Sequence, residues 1–162
     1  MRLLAGTLDG RPIDHLEAFE AIKAATGATI QAFDARYVVS ERHLERAVVF
    51  AERAIDREEA IADDRSVEIL LYAAGRRQIE RALEMGLKAD THPIVVLIDG
   101  GDVEQAATEV RSLLAVEHAP EAVLGDETRL RQFFDITDAE LDATGDLEAL
   151  IFERTALLTI DK

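Results

Sequence analysis

No cysteine occurs in the 162 residues, so disulfides, thiolate metal sites and cysteine nucleophiles are excluded. No apolar run approaches the roughly 20 residues that a membrane-spanning helix needs. The opening MRLLAGTLDG has one arginine and a very short apolar run. That is too little for a signal peptide and reads as a strand, so a cytoplasmic setting without membrane contact is expected. No phosphate-binding glycine loop is spelled, since GTLDG and IDGGD lack both the spacing and the lysine. His15, His43, His92 and His118 lie far apart and form no ligand pair at i and i+4. No serine sits in a nucleophile elbow. No catalytic constellation, metal or cofactor is therefore expected. IDGGD does end a strand and open a helix, where ligands sit in α/β folds. A small-molecule site near Asp99 to Asp102 stays open beside the plain reading as a turn and cap.

Basic residues are scarce, and lysine above all, with only Lys23, Lys88 and Lys162. Acidic residues number 33 against 18 basic ones, for a formal charge of -15, and they are spread along the chain without forming a tail. High net charge keeps proteins soluble, and halophiles use it so. A high-salt cytoplasm follows as an expectation. In that setting global acidity says nothing against a nucleic-acid partner, and local charge has to be read instead.

Hydrophobic content of 48% argues for a folded globule despite 31% charged residues. The length suits one domain spanning residues 1–162. Four segments read as strands: 2–8, 28–35, 67–74 and 93–100. The last two are apolar on both faces, as central, covered strands are. Helical patterns occupy 12–25, 40–55, 76–85, 102–114 and 147–160. Their start and stop signals are Ser40 and Asp102 as caps, and Gly27 and Gly86 as ends. Thr137 with Glu140 spells a capping box for a further short helix. The expected fold is α/β, a single domain with a small mixed sheet of about four strands and several packed helices.

Two basic features stand out. In the helix at 40–55, at about 100° per residue, Arg42, Arg46, Arg53 and Arg57 fall within roughly 60° of one another, with His43 beside them. Such a stripe is either a solvated face with weak ion pairs or a track for phosphates. The second is LLYAAGRRQIERALEMG at 70–86, where a strand-like run stops at Gly75 and a helix-like run starts with Arg76 and Arg77. Helix N-termini favour anions, so two arginines there break a local rule. Gly75 permits close approach to the backbone, guanidinium forks suit phosphates and stack on bases, Gln78 can read a base edge, and Arg81 lies one turn on. Arginines paired with Glu68, Glu80 or Glu84 are the structural alternative. The last helix shows one apolar stripe in Leu147, Leu150, Ile151, Leu157 and Leu158, with Phe152, Ala149 and Ala156 opposite. A helix apolar on two faces is buried twice or contacts a partner.

DARYVVSERHLERAVVFAERA, followed by VEILLYAAGRRQIERALEMGL, resembles the small kinase-binding subunit of the KEOPS tRNA-modification complex, whose eukaryotic relatives are called PRPK-binding protein. The residues that carry the resemblance are Asp34, His43-Leu44, Ala47, Glu68-Ile69-Leu70, Tyr72, Gly75, Arg77-Gln78-Ile79, Ala82 and Gly86-Leu87, over about 32–98. Ala74 stands where the family pattern has serine.

The resemblance implies an archaeal, non-catalytic subunit of the complex that makes threonylcarbamoyl-adenosine beside the tRNA anticodon. Such a subunit binds and supports the small atypical kinase/ATPase, joins the rest of the complex through it, and recruits tRNA by the single-stranded CCA acceptor end. Gly75, Arg76, Arg77, Gln78 and Arg81 would then grip RNA, with Arg42, His43 and Arg46 completing the pocket. Phe152, Ala149 and Ala156 would meet the kinase. The competing reading is a protein-interaction adaptor that works without RNA.

Overall fold

The computed structural model describes residues 1–160; Asp161 and Lys162, the end of the expected 1–162 domain, lie outside the described residues. Four strands, β1 (Arg2–Leu8), β2 (Thr29–Asp34), β3 (Ile94–Asp99) and β4 (Leu114–His118), form one sheet in the order β2-β3-β1-β4. Every neighbouring pair is antiparallel, so the expected four-stranded α/β domain is present, but its sheet is not mixed. The reason lies in the connections. β1 and β2 are each antiparallel to β3, so they run parallel to each other with β3 between them. β3 and β4 are related in the same way around β1. Parallel strands need a crossover, and helices α1 (Leu16–Thr26) and α5 (Val103–Leu113) supply the two. The result is a pair of interleaved split β-α-β units, the ferredoxin-like arrangement.

The pleat sends alternate residues to opposite faces. One face carries Leu4, Ile30, Val96 and Ile98 against Phe19, Ile22, Ala106 and Val110 of α1 and α5. The other carries Ala5, Phe33, Val95 and Leu97 beneath a helical layer. That layer holds α2 (Glu41–Asp56), α3 (Arg65–Ala74), the short α4 (Ile79–Ala82), α6 (Pro120–Val123), α7 (Glu127–Phe133), α8 (Asp138–Thr144) and α9 (Leu147–Leu157). Local chemistry sets the helix starts as expected. The Ser40 side chain accepts from the His43 N–H, Asp102 from the Gln105 N–H, and the Thr137–Glu140 capping box is complete.

The largest departure from expectation is VEILLYAA, read as a strand and found as α3. Asp64 caps it, its side chain accepting from the Ser66 N–H at 2.7 Å, and Gly75 ends it in the left-handed region at φ 64°. A nearly all-apolar run cannot be assigned by period, because a helix buried on every side looks the same as a covered strand. Here Ile69, Leu71 and Ala73 are wholly buried, and so is Glu68. The Glu68 carboxylate accepts from the Ile61 N–H at 3.0 Å and the Ala62 N–H at 2.8 Å, which fixes the loop between α2 and α3. The fourth strand is instead β4, whose mostly exposed residues follow directly on α5. The helix expected over 76–85 shrinks to α4 and a 3-10 turn, Leu83–Met85. The helix expected over 147–160 stops at Leu157.

Candidate nucleic-acid and partner interface

With α3 a helix, the residues after Gly75 change meaning. They follow a helix C-terminus instead of opening an N-terminus. The Arg76 N–H donates to the Leu71 carbonyl at 3.1 Å and the Gly75 N–H to the Tyr72 carbonyl at 3.3 Å, the two bonds of a Schellman motif. Gly75 is required twice over: its φ is positive, and a Cβ there would sit 3.2 Å from the Arg154 carbonyl of α9. The negative end of the helix dipole favours cations, so Arg76 and Arg77 obey the local rule that they were expected to break. The helix that follows them, α4, is a single turn, and Gln78, its N-cap, makes no side-chain cap bond.

The two arginines part company in three dimensions. Arg76 turns inward. Its guanidinium donates to the Phe133 carbonyl, lies 5.0 Å from the Phe133 ring centre and 3.9 Å from Asp135. Arg154 of α9 approaches the same place, donating to the Phe134 carbonyl at 3.1 Å, the Asp135 carbonyl at 3.3 Å and the Glu140 carboxylate at 2.6 Å. That donor holds the Glu140 carboxyl below its usual value. Together Arg76 and Arg154 satisfy the carbonyls at the end of α7, which would otherwise lack partners. Arg77, Gln78 and Arg81 are exposed. Between these groups lies a cleft of about 390 Å³, lined by Gly75, Arg76, Arg77 and Gln78 on one side and by Asp135, Arg154 and Leu157 on the other. It places three arginines beside one carboxylate in a chain of net charge -15.

His43, expected at an RNA surface, is inside. It is 1% exposed; its Nδ1 accepts from the Val39 N–H at 3.2 Å, and its Nε2–H donates to the Ala73 carbonyl at 2.8 Å. Burial holds its pKa down to about 4, so it is neutral near pH 7. The start of α2 and the end of α3 do lie side by side, and His43 is the tie between them rather than part of an open pocket.

The first half of the α2 arginine stripe meets the second apolar face of α9 at Phe152. The Phe152 ring lies under Arg46 at 4.4 Å and Arg42 at 5.3 Å, and Arg46 also covers Phe50 at 5.2 Å. Such contacts contribute about 0.5–1 kcal/mol at exposed sites and more when desolvated. Arg46 is half-buried here, while Arg42 stays largely open and pairs with Glu148 at 3.4 Å. Ala149 and Leu157 remain exposed on α9, with Ala156 half-buried between them.

The strand end at Asp99 is occupied by structure: Arg65 donates to Asp99 at 2.8 Å and to Glu52 at 2.5 Å. Among the described residues no group of three or more His, Asp or Glu side chains could hold a metal ion, and no helix is long and apolar enough to cross a membrane. Arg154 and Asp135 were missed as cleft residues because nothing local in sequence joins them to Gly75.

A family model described as kinase binding protein CGI-121 matches residues 17–159. No curated protein matches. The chain belongs to the kinase binding protein CGI-121 family.

Proposed function

We propose that this family member is the non-catalytic, kinase-binding subunit of an archaeal, haloarchaeal KEOPS complex, and that it recruits tRNA by the single-stranded CCA end. The observation that carries the RNA part is the cleft at Gly75–Gln78, where Arg77 and Gln78 stand exposed beside Arg76 and Arg154. Single-stranded ends are held by phosphate contacts, base-edge hydrogen bonds and stacking. Arg77 and Arg81 supply the first and Gln78 the second. Gly75, Arg76, His43 and Arg46 act one step back, fixing the turn and the helices that carry it, and Arg42 adds an open cation at the α2 start. The kinase meets the outer face of α9 at Ala149, Phe152 and Ala156. Leu157, exposed near the end of the same helix, lines the cleft, so α9 carries both the kinase face and one wall of the RNA cleft.

At about 1 M salt the Debye length is only about 3 Å. Long-range attraction to RNA is then nearly gone, and binding rests on short contacts such as these. The test is binding of intact tRNA and of tRNA trimmed of its CCA end at matched high salt, with Arg77→Glu beside the wild type. Loss of binding on trimming and on mutation supports the reading; equal binding in all three cases refutes it.

A second reading, an adaptor that works without RNA, is favoured by the inward use of Arg76 and Arg154 as helix-end caps. It expects kinase binding unchanged by nuclease and no tRNA retained by the pair.

A further inference from the structure

A second surface lies on the far edge of the sheet. β2 pairs with β3 and with no other strand among the described residues. The Ala35 N–H donates to the Pro93 carbonyl at 3.1 Å, which makes Ala35 opposite Pro93 a hydrogen-bonded position. Antiparallel ladders alternate. Phe33 and Gln31 therefore bond to β3, while Ala32 and Ile30 turn their N–H and C=O groups away from it. The Gln31 side chain bends round the edge and donates to the Ala32 carbonyl at 2.9 Å, where an outward carbonyl would be. Among the described residues no backbone partner outside the ladder meets Ile30 or the Ala32 N–H.

These groups open into a cleft of about 610 Å³ between α1 and α4. Ile30, Gln31 and Ala32 all line it. Successive strand residues face opposite sides of a sheet, so only the edge itself can present all three. At the mouth, Leu16, Ile79 and Leu83 are 46%, 44% and 51% exposed. Natural edges are blunted by charge, proline or a covering element; this one is walled by helices, with Ile30 and Ala32 4% and 7% exposed, yet its mouth carries exposed apolar side chains. The ionic lining is lopsided, with Glu20, Asp64, Glu80 and Glu84 against Lys23 and Lys88. Both ammonium groups are engaged. Lys23 donates to Ser66 Oγ at 3.0 Å and Glu20 at 3.2 Å, and Lys88 lies 3.6 Å from Asp34 while donating to the Glu84 carbonyl.

We propose that the β2 edge accepts an extended peptide segment of another protein as a fifth strand. Its apolar side chains face the walls of the cleft, and basic residues at its ends meet the acidic rim. Strand addition draws affinity from main-chain bonds and specificity from pockets for alternate side chains. Ile30 and Ala32 supply the first; the mouth formed by Leu16, Ile79 and Leu83 supplies the second. The site is separate from the cleft at Gly75–Gln78 and does not depend on its assignment.

The probe is a synthetic peptide, Arg-Val-Thr-Val-Thr-Val-Arg with blocked ends, titrated to millimolar concentration into the isotope-labelled full chain. The expected result is that the Ile30 and Ala32 amides shift and become protected from hydrogen exchange. Affinity should fall about tenfold or more when the two arginines become glutamates, and likewise for the Leu83→Asp protein, whose changed side chain is exposed and leaves the core intact. Peptides N-methylated at alternate residues, in one register or the other, should lose binding. No protection of Ile30 and Ala32 overturns the proposal. So does undiminished binding by both N-methylated peptides, which would mean an apolar groove filled without strand pairing. Protection that grows with protein concentration in the absence of peptide would assign the edge to a second copy of the chain and overturn it equally.

Discussion

Lowering the pH should destabilise this protein through His43, and the size of the effect can be worked out. In the folded state its pKa is about 4, held down first by burial and opposed by the Ala73 hydrogen bond. In the unfolded chain it is about 6.5. Protonation would place a hydrogen on Nδ1, facing the Val39 N–H that it now accepts, and a charge near Arg46. The unfolded state therefore binds more protons across this window. The stability linked to neutral His43 is complete above about pH 6.5 and is lost as the pH falls towards about 4. The full linkage is about 3 kcal/mol, of which about 2 kcal/mol is lost between about pH 7.5 and about pH 5. That is a large share of the roughly 5–15 kcal/mol that separates folded from unfolded domains.

Carboxylates also titrate near the bottom of this range, and a chain of charge -15 relaxes its self-repulsion there. The measurement is therefore a difference. Urea unfolding at the two pH values is compared for wild type and His43→Gln, whose amide can accept from Val39 and donate to Ala73 without titrating. The wild type should lose about 2 kcal/mol more than the variant. Equal losses would refute the assignment of His43 as a buried neutral tie. Folded His43 stays neutral down to about pH 4, so its tie to the end of α3 should hold across this range while the unfolded state takes up the proton.

Gly75→Ala puts a Cβ at φ 64°, 3.2 Å from the Arg154 carbonyl, and should cost about 1–2 kcal/mol in denaturant unfolding from the left-handed conformation alone. Glu68→Ala removes the acceptor for the Ile61 and Ala62 N–H groups and should cost about 1–3 kcal/mol; Glu68→Gln, which keeps one oxygen, should cost less in the same assay. Ala149→Asp changes an exposed residue in the first turn of α9, so thermal unfolding should barely move while co-purification with the kinase is lost; retained kinase would count against that face. Phe152→Asp should lose kinase and some stability together, since it also removes the half-buried ring that Arg42 and Arg46 cover.

Wherever one short stretch held both the cause and the effect, sequence was enough. Ser40, Asp102 and the Thr137–Glu140 pair cap helices where they were expected to, because a cap is a bond between neighbours. Gly27 ends its helix because only a residue tolerant of positive φ can stand there. The apolar stripe of α2 packs inward, with Leu44, Ala47, Val48 and Ala51 buried. The Arg77-Gln78 motif and the family pattern around it were legible in the same way.

Tertiary structure decided everything that depends on what surrounds a segment. VEILLYAA is a helix because α2, α9 and the sheet bury residues 69–74 on every side, and period cannot reveal that when nearly every position is apolar. That single reassignment moved Arg76 and Arg77 from the start of one helix to the end of another and reversed the sign of the dipole they meet. Arg76 became a cap for α7, a partner 57 residues away, while Arg77 stayed at the surface. Phe152 of the outer α9 face also carries Arg42 and Arg46, 110 and 106 residues earlier, a contact that no local pattern shows. His43 looked like a surface base and became a core hydrogen-bond tie. The open β2 edge is visible only once the strand order is known. Residue types and local bonds are written in the chain; the side of each residue that meets water, and the charge it faces there, is set only when distant elements pack.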